Sequence, residues 1–179
     1  MTCVVGWIEK GRIYMGADSA GVAGLDLRIR KDPKVFKKGP FIIGYTSSFR
    51  MGQLIRYKME IPDHPAKMDP FEFMCVHFVE SLRKCLREGG YTKVNNNVEE
   101  GGCFLVGYRK RLYLIDSDFQ VGVAKENYDA VGCGRDFALG AMRILNGLNI
   151  PPIAAVKRAL TVAEEFSAGV RRPFIMETL

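Results

Sequence analysis

The sequence predicts an α+β fold in which helices pack on antiparallel sheets. Three observations carry that expectation. Runs of strand length and runs of helical period are segregated along the chain, in the order strands, two helices, strands, two helices, strand. Short turns join several of the strand runs, which makes the neighbours antiparallel hairpins. No repeat or linker divides the 179 residues, so a single domain over 1–179 is expected, long enough to bury most of its unfolded surface.

Each element follows from local signals. Residues 3–9 alternate apolar and small side chains, Glu9-Lys10-Gly11 turns the chain, and 12–17 return as a second strand. Leu25, Leu27 and Ile29 alternate with charged residues and read as a third short strand. Val35-Phe36 and Phe41-Ile42-Ile43 flank Lys37-Lys38-Gly39-Pro40 and form another hairpin. A helix is predicted over 49–59, with Ser48 as its N-cap and Met51, Leu54 and Ile55 on one face. After a loop at 62–69, Asp69 caps a longer helix, Pro70 takes its first position and Gly89-Gly90 end it. Its apolar stripe is Phe71, Met74, Cys75, Phe78, Leu82, Cys85 and Leu86, a core face. Asn95-Asn96-Asn97 is a loop, 102–108 and 111–117 pair as a hairpin, and 128–132 are a strand. Helices at 135–146 and from Pro151-Pro152 to 168 follow, and 173–178 close the chain as a strand.

Composition excludes several classes. The chain is 47% hydrophobic and 26% charged, the balance of a globular domain. No apolar run reaches the roughly 20 residues of a membrane helix. Glu9, Lys10 and Arg12 interrupt the one early apolar stretch, so no signal peptide and a cytoplasmic location are expected. The five cysteines form no CxxC pair and read as reduced thiols. Cys75-Val76-His77 has no second ligand pair nearby, so neither a metal nor a cofactor is expected. The net charge of +6 is dispersed, Asp32 and Pro33 break the densest basic cluster, and nucleic acid is not an expected partner.

Thr2 stands directly behind the initiator methionine. Ordinary methionine removal accepts a small second residue, and it would leave Thr2 with both a hydroxyl nucleophile and a free amine to act as its base. Three segments follow it: the acidic turn Gly16-Ala17-Asp18-Ser19, the run Lys34-Val35-Phe36, and the small-residue turn Gly44-Tyr45-Thr46-Ser47-Ser48. Alone, Asp18 reads as a turn residue and Lys34 as a solvated strand residue.

Together with Thr2-Cys3-Val4-Val5-Gly6, and with Ala130-Val131-Gly132-Cys133-Gly134 running into Phe137-Ala138-Leu139-Gly140-Ala141, these segments resemble the proteasome β-subunit and bacterial HslV peptidase family of N-terminal nucleophile hydrolases. The resemblance covers nearly the whole chain, and the single residue ahead of Thr2 is similar to HslV. It implies a four-layer αββα sandwich, two antiparallel sheets between helix layers. It implies threonine-type endopeptidase activity on polypeptides, with Thr2 as nucleophile, Lys34 as the active-site lysine, Asp18 as its acidic partner and the Ser48 backbone N–H as oxyanion donor. Cys133, Glu164 and Ser167 match positions that orient the amine, and Gly21, Asp32, Thr46 and Arg50 match the substrate-pocket walls, with Asp32 and Arg50 paired. Three positions depart from the family pattern: Ser48 replaces a glycine, Cys133 a serine and Glu164 an aspartate. The resemblance further implies a homo-oligomer of stacked rings of six or seven subunits and an ATP-dependent unfoldase as partner. Two other readings stay open: a silent structural subunit of such a ring, and an amidase of the same chemistry acting on a small amide.

Overall fold

A computed structural model describes residues 1–179. The first strands are β1 (Cys3–Glu9), β2 (Arg12–Ala17), β3 (Ala20–Ala23), β4 (Asp26–Ile29), β5 (Val35–Lys38) and β6 (Phe41–Tyr45). Helices α1 (Phe49–Tyr57), α2 (Pro70–Phe73) and α3 (Val79–Glu88) follow, with a π-helical turn at Met74–Phe78 joining the last two. Strands β7 (Lys93–Asn95), β8 (Val98–Glu100), β9 (Phe104–Tyr108), β10 (Arg111–Ile115), β11 (Val121–Gly122) and β12 (Tyr128–Gly132) come next. Helices α4 (Arg135–Leu145) and α5 (Pro152–Phe166) and strand β13 (Ile175–Thr178) complete the chain.

Two antiparallel sheets form the centre, in the orders β12-β1-β2-β13 and β11-β10-β9-β6-β5. Side-chain alternation along each strand assigns its two faces to different layers. On β1, Cys3, Val5 and Trp7 pack with Ala138, Met142, Ala155 and Val156 of α4 and α5. Val4, between them, packs with Ile42, Leu105 and Leu112 of the other sheet. On β6, Ile42 belongs to that inter-sheet layer, whereas Phe41, Ile43 and Tyr45 pack with Met51, Phe73 and Leu82 of the remaining helices. Three apolar layers therefore separate four structural ones, which is the αββα sandwich. Because both faces are covered, β6 and β9 are buried at every residue and read as continuous apolar runs.

Most predicted elements are present, and the differences have local causes. The strand expected at Leu25–Ile29 is β4; it pairs with the unanticipated β3 across a turn at Gly24. The predicted 70–88 helix starts as expected, with Asp69 Oδ1 accepting from the Phe71 and Glu72 N–H groups. The π turn at 74–78 then inserts one residue, and the buried face exchanges Phe71 and Cys75 for Phe73 and Val79. Asn95-Asn96-Asn97 is the tight turn of a hairpin, with Asn96 and Asn97 both at positive φ and Asn95 already in β7. Edge strand β11 has only two residues, too few for a periodic signal. No helix is long and apolar enough to cross a membrane.

Candidate functional site

Antiparallel pairing brings six segments to one end of the sandwich. Thr2 precedes β1, whose register sets Cys3 against Gly132 at the end of β12 and Val4 against Ala17 at the end of β2. Asp18 and Cys133 therefore flank Thr2. In the second sheet Val35 faces Gly44, so Lys34, just before β5, lies beside the Thr46–Ser48 turn after β6. Ser167, the C-cap of α5, closes the group. Gly132 is required here: its φ is +102°, and a Cβ would run into the Thr2 carbonyl.

Lys34 and Asp18 form a buried ion pair, each 1% exposed. Lys34 Nζ donates to Asp18 Oδ1 at 2.9 Å and Oδ2 at 3.0 Å. The carboxylate also accepts backbone N–H bonds from Cys3 (2.9 Å), Ala20 (2.8 Å) and Arg171 (3.4 Å). Burial pulls the Lys34 pKa below that of a free lysine, and the Asp18 carboxylate offsets part of that pull. A buried ion costs several kcal/mol in desolvation, comparable with the roughly 1.5–3 kcal/mol gained by burying one large apolar side chain. The pair therefore has little value as a staple, and its position argues for a chemical purpose.

Thr2 is 4% exposed. Its hydroxyl donates to the Met1 carbonyl oxygen, and Lys34 Nζ approaches the same oxygen at 3.4 Å. The Thr2 N–H donates to Cys133 Sγ at 3.2 Å. Cys133 Sγ in turn lies 3.4 Å from the Thr2 carbonyl oxygen and 3.3 Å from Ser167 Oγ. Hydroxyl, ammonium and thiol thus converge on the two sides of one residue. If the chain has the peptidase activity expected from its sequence and Cys133 orients the Thr2 nitrogen, Cys133→Ser, which keeps the donor and acceptor, should leave peptide turnover within about threefold, whereas Cys133→Ala should lower it about tenfold. Equal turnover by the two variants in a fluorogenic peptide assay would remove the thiol from the site.

The other sequence-predicted positions divide. Thr46, buried, bonds through Oγ1 to the Cys103 carbonyl at 3.0 Å and, with Gly21, lines a cavity of about 370 Å³ beside Thr2. The Ser48 N–H is not free in this state: it donates to the Thr46 carbonyl at 2.7 Å across Ser47, whose φ is +67°. Ser48 Oγ meanwhile caps α1 by accepting from the Arg50 N–H at 3.1 Å. Glu164 does not reach Thr2; its carboxylate binds the Arg172 N–H and Nε, both at 2.8 Å. Its extra methylene carries the charge outward to that guanidinium, which holds the carboxyl below the usual carboxylate range against a burial effect of opposite sign. Asp32 and Arg50 do not pair and do not line the cavity. Asp32 is engaged by Arg30 through bonds of 2.8 and 2.7 Å, and Arg50 is exposed on the outer side of α1.

Two arginines were not anticipated. Arg30 lays its stem over Gly21, where an added Cβ would meet Arg30 Cδ at 3.0 Å, so Gly21 makes room for Arg30 rather than for a ligand. Its guanidinium carbon sits 3.8 Å from the centroid of the Phe49 ring. The signal was present: Asp26, Arg28 and Arg30 alternate with Leu25, Leu27 and Ile29, and all three charged residues line the cavity. Arg171 caps the end of α5, its Nη1 donating to the Glu164, Ser167 and Val170 carbonyls at 3.2, 3.0 and 2.6 Å. Nothing in its local pattern marks it, because the carbonyls converge only after the chain turns past Ser167.

No protein-family model matches the chain, and no curated protein matches it. Solved structures do. The chain is similar to Thiobacillus denitrificans BPH at 20% identity and a TM-score of 0.83, over 99% of this chain and 97% of that one. The same protein in complex with epoxomicin gives 20% identity and 0.82 over 99% and 98%. Eukaryotic HslV from Trypanosoma brucei is 16% identical with a TM-score of 0.71, over 99% of both chains. A Gly-1 mutant of Anbu from Hyphomicrobium sp. strain MC1 is 13% identical with a TM-score of 0.66, over 98% of this chain and 80% of that one. At such identities the likeness establishes the fold: the chain has the sandwich of the proteasome-like N-terminal nucleophile proteins.

Proposed function

We propose that the chain is a threonine-type endopeptidase of the proteasome/HslV kind, with Thr2 as nucleophile once Met1 has been removed. The observation that carries this reading is the buried Lys34–Asp18 pair, whose ammonium reaches the same carbonyl oxygen as the Thr2 hydroxyl. In the proposed reaction Thr2 Oγ attacks the scissile carbonyl while the freed α-amine takes the hydroxyl proton. An α-amine titrates near ~7.7–8.0 without neighbours, so it suits a base at neutral pH. Lys34 favours the neutral amine and stabilises the charge that develops nearby. The Thr2 α-ammonium so formed then passes that proton to the departing amine, leaving an ester on Thr2. Water, deprotonated by the same amine, hydrolyses that ester and restores the threonine.

Ser48 N–H serves as oxyanion donor in this scheme, which requires the turn around Ser47 to release it from the Thr46 carbonyl when substrate binds. That internal bond is also what favours the second reading, a silent subunit of a ring. Assembly into a homo-oligomer is supported by apolar side chains that one copy leaves uncovered, among them Leu25 at the β3–β4 turn and Leu27 and Ile29 on β4. Stacked rings, an ATP-dependent unfoldase as feeder and a cytoplasmic location complete the proposal, the last supported by five free cysteines.

Two preparations test it, one beginning at Thr2 and one retaining Met1, assayed on an unstructured fluorogenic peptide. Turnover is expected only from the first, because an amide nitrogen at Thr2 cannot accept the proton. Turnover by both alike, or by neither, would overturn the assignment.

A further inference from the structure

We propose that the cavity beside Thr2 selects an anionic side chain on the acyl side of the scissile bond, with Arg30 as the specificity-determining residue. The inference rests on the peptidase reading above and adds a substrate class to it.

Arg30 is held on three sides before any ligand arrives. Its stem rests on Gly21, one face of its guanidinium lies on Phe49, and its Nε–Nη2 edge is forked onto Asp32. Its Nη1 has no hydrogen-bond partner within the chain, and the residue lines the cavity. A guanidinium carries five N–H donors in a rigid fork, so one edge can stay on Asp32 while the other takes a second carboxylate. Holding the group in place beforehand removes much of the ordering cost of binding.

The rest of the lining agrees. Arg28, on the same strand face, also borders the cavity and makes no ion pair within the chain. Lys34 is committed to Asp18. Asp26 is the one carboxylate in the lining, exposed at the start of β4 near the hairpin turn. Asp18 and Asp32 already answer Lys34 and Arg30 from behind the lining, so the donors left for a ligand are Arg28 and the open Nη1 edge of Arg30. A lysine side chain would meet like charge there. A leucine would find Val22, Tyr45 and Phe49 as walls, yet it would strip water from two guanidinium groups without replacing their hydrogen bonds. A carboxylate satisfies both.

The test uses the chain beginning at Thr2 and four coumarin-tagged peptides that differ only in the residue preceding the cleaved bond: Glu, Gln, Leu or Lys. The Glu–Gln pair isolates charge at nearly constant shape. The expected kcat/KM is about tenfold higher for Glu than for Gln, lowest for Lys, with a Glu-to-Gln ratio that shrinks as salt is added. Arg30→Met, which keeps the stem, should bring the Glu-to-Gln ratio close to one; general damage to the site would lower both substrates and leave the ratio. A parent ratio at or below one overturns the charge selection without recourse to any variant, and a ratio unchanged in Arg30→Met overturns the role of Arg30. Preferred cleavage of the Leu peptide would overturn the selection while leaving the peptidase reading intact. Cleavage of none of the four would overturn both.

Discussion

Replacing Asp18 with asparagine should destabilise the protein by about 3–5 kcal/mol at neutral pH, because it strands a buried ammonium without its counter-charge. Lys34 has no other anionic partner; its remaining acceptor is the Met1 carbonyl oxygen. The converse change is expected to be milder. In Lys34→Met the Asp18 carboxylate keeps three backbone donors, from Cys3, Ala20 and Arg171, so its oxygens are not left without partners. The pH dependence gives a second check. Without Asp18 the Lys34 pKa falls further below the ordinary 10.5 of lysine. The unfolded chain then binds more protons than the folded one, so stability rises with pH up to the free-lysine value. The deficit of Asp18→Asn should accordingly shrink between neutral pH and pH about 9.5. Urea midpoints at both pH values measure this, and a deficit that grows with pH would contradict the buried-cation account. Both variants should also lose about 10²–10³-fold in peptide turnover, the scale of removing one placed charge or donor from a transition state.

Thr2→Ala should abolish turnover and leave the urea midpoint close to that of the parent. The hydroxyl's one hydrogen-bond partner is the Met1 carbonyl, which the chain beginning at Thr2 lacks, so the change removes no hydrogen bond to the core. Thr2→Ser keeps hydroxyl and amine and should retain turnover within about tenfold. Turnover surviving in Thr2→Ala would move the nucleophile elsewhere, with Cys133, 3.2 Å from the Thr2 nitrogen, as the first group to examine.

The parts of this molecule that were legible in the sequence are those fixed by short-range rules. Hairpins such as Cys3–Ala17 follow from a turn between two apolar runs, and Ser48 and Asp69 cap their helices as their positions foretell. Thr2, Asp18 and Lys34 stand out only together, through the family resemblance that their segments carry jointly; alone, each reads as an ordinary terminal, turn or strand residue. What could not be read depends on choices among neighbours at longer range. Asp32 had two arginines within reach, and the strand alternation of Arg28 and Arg30, not the proximity of Arg50, decided the partner. Glu164 is one methylene longer than the expected aspartate and meets Arg172 first. The π turn at 74–78 leaves no mark in an apolar stripe whose period it shifts by a single residue. The Ser48 N–H, which the proposed reaction needs as a donor, is governed by the backbone of Ser47, a residue with no strong preference for positive φ.

The most direct measurement is the intact mass of the protein, first alone and then after incubation with a peptide epoxyketone. The warhead requires one residue to supply both groups: the hydroxyl adds to the ketone and the amine opens the epoxide, closing a ring with no atom lost. A chain that lacks Met1 and gains the full inhibitor mass once, with the adduct on Thr2 and absent from Thr2→Ala, is the expected result. A chain that begins at Thr2 and gains no mass would contradict a live N-terminal nucleophile and favour the silent subunit in which Ser48 stays bonded to Thr46.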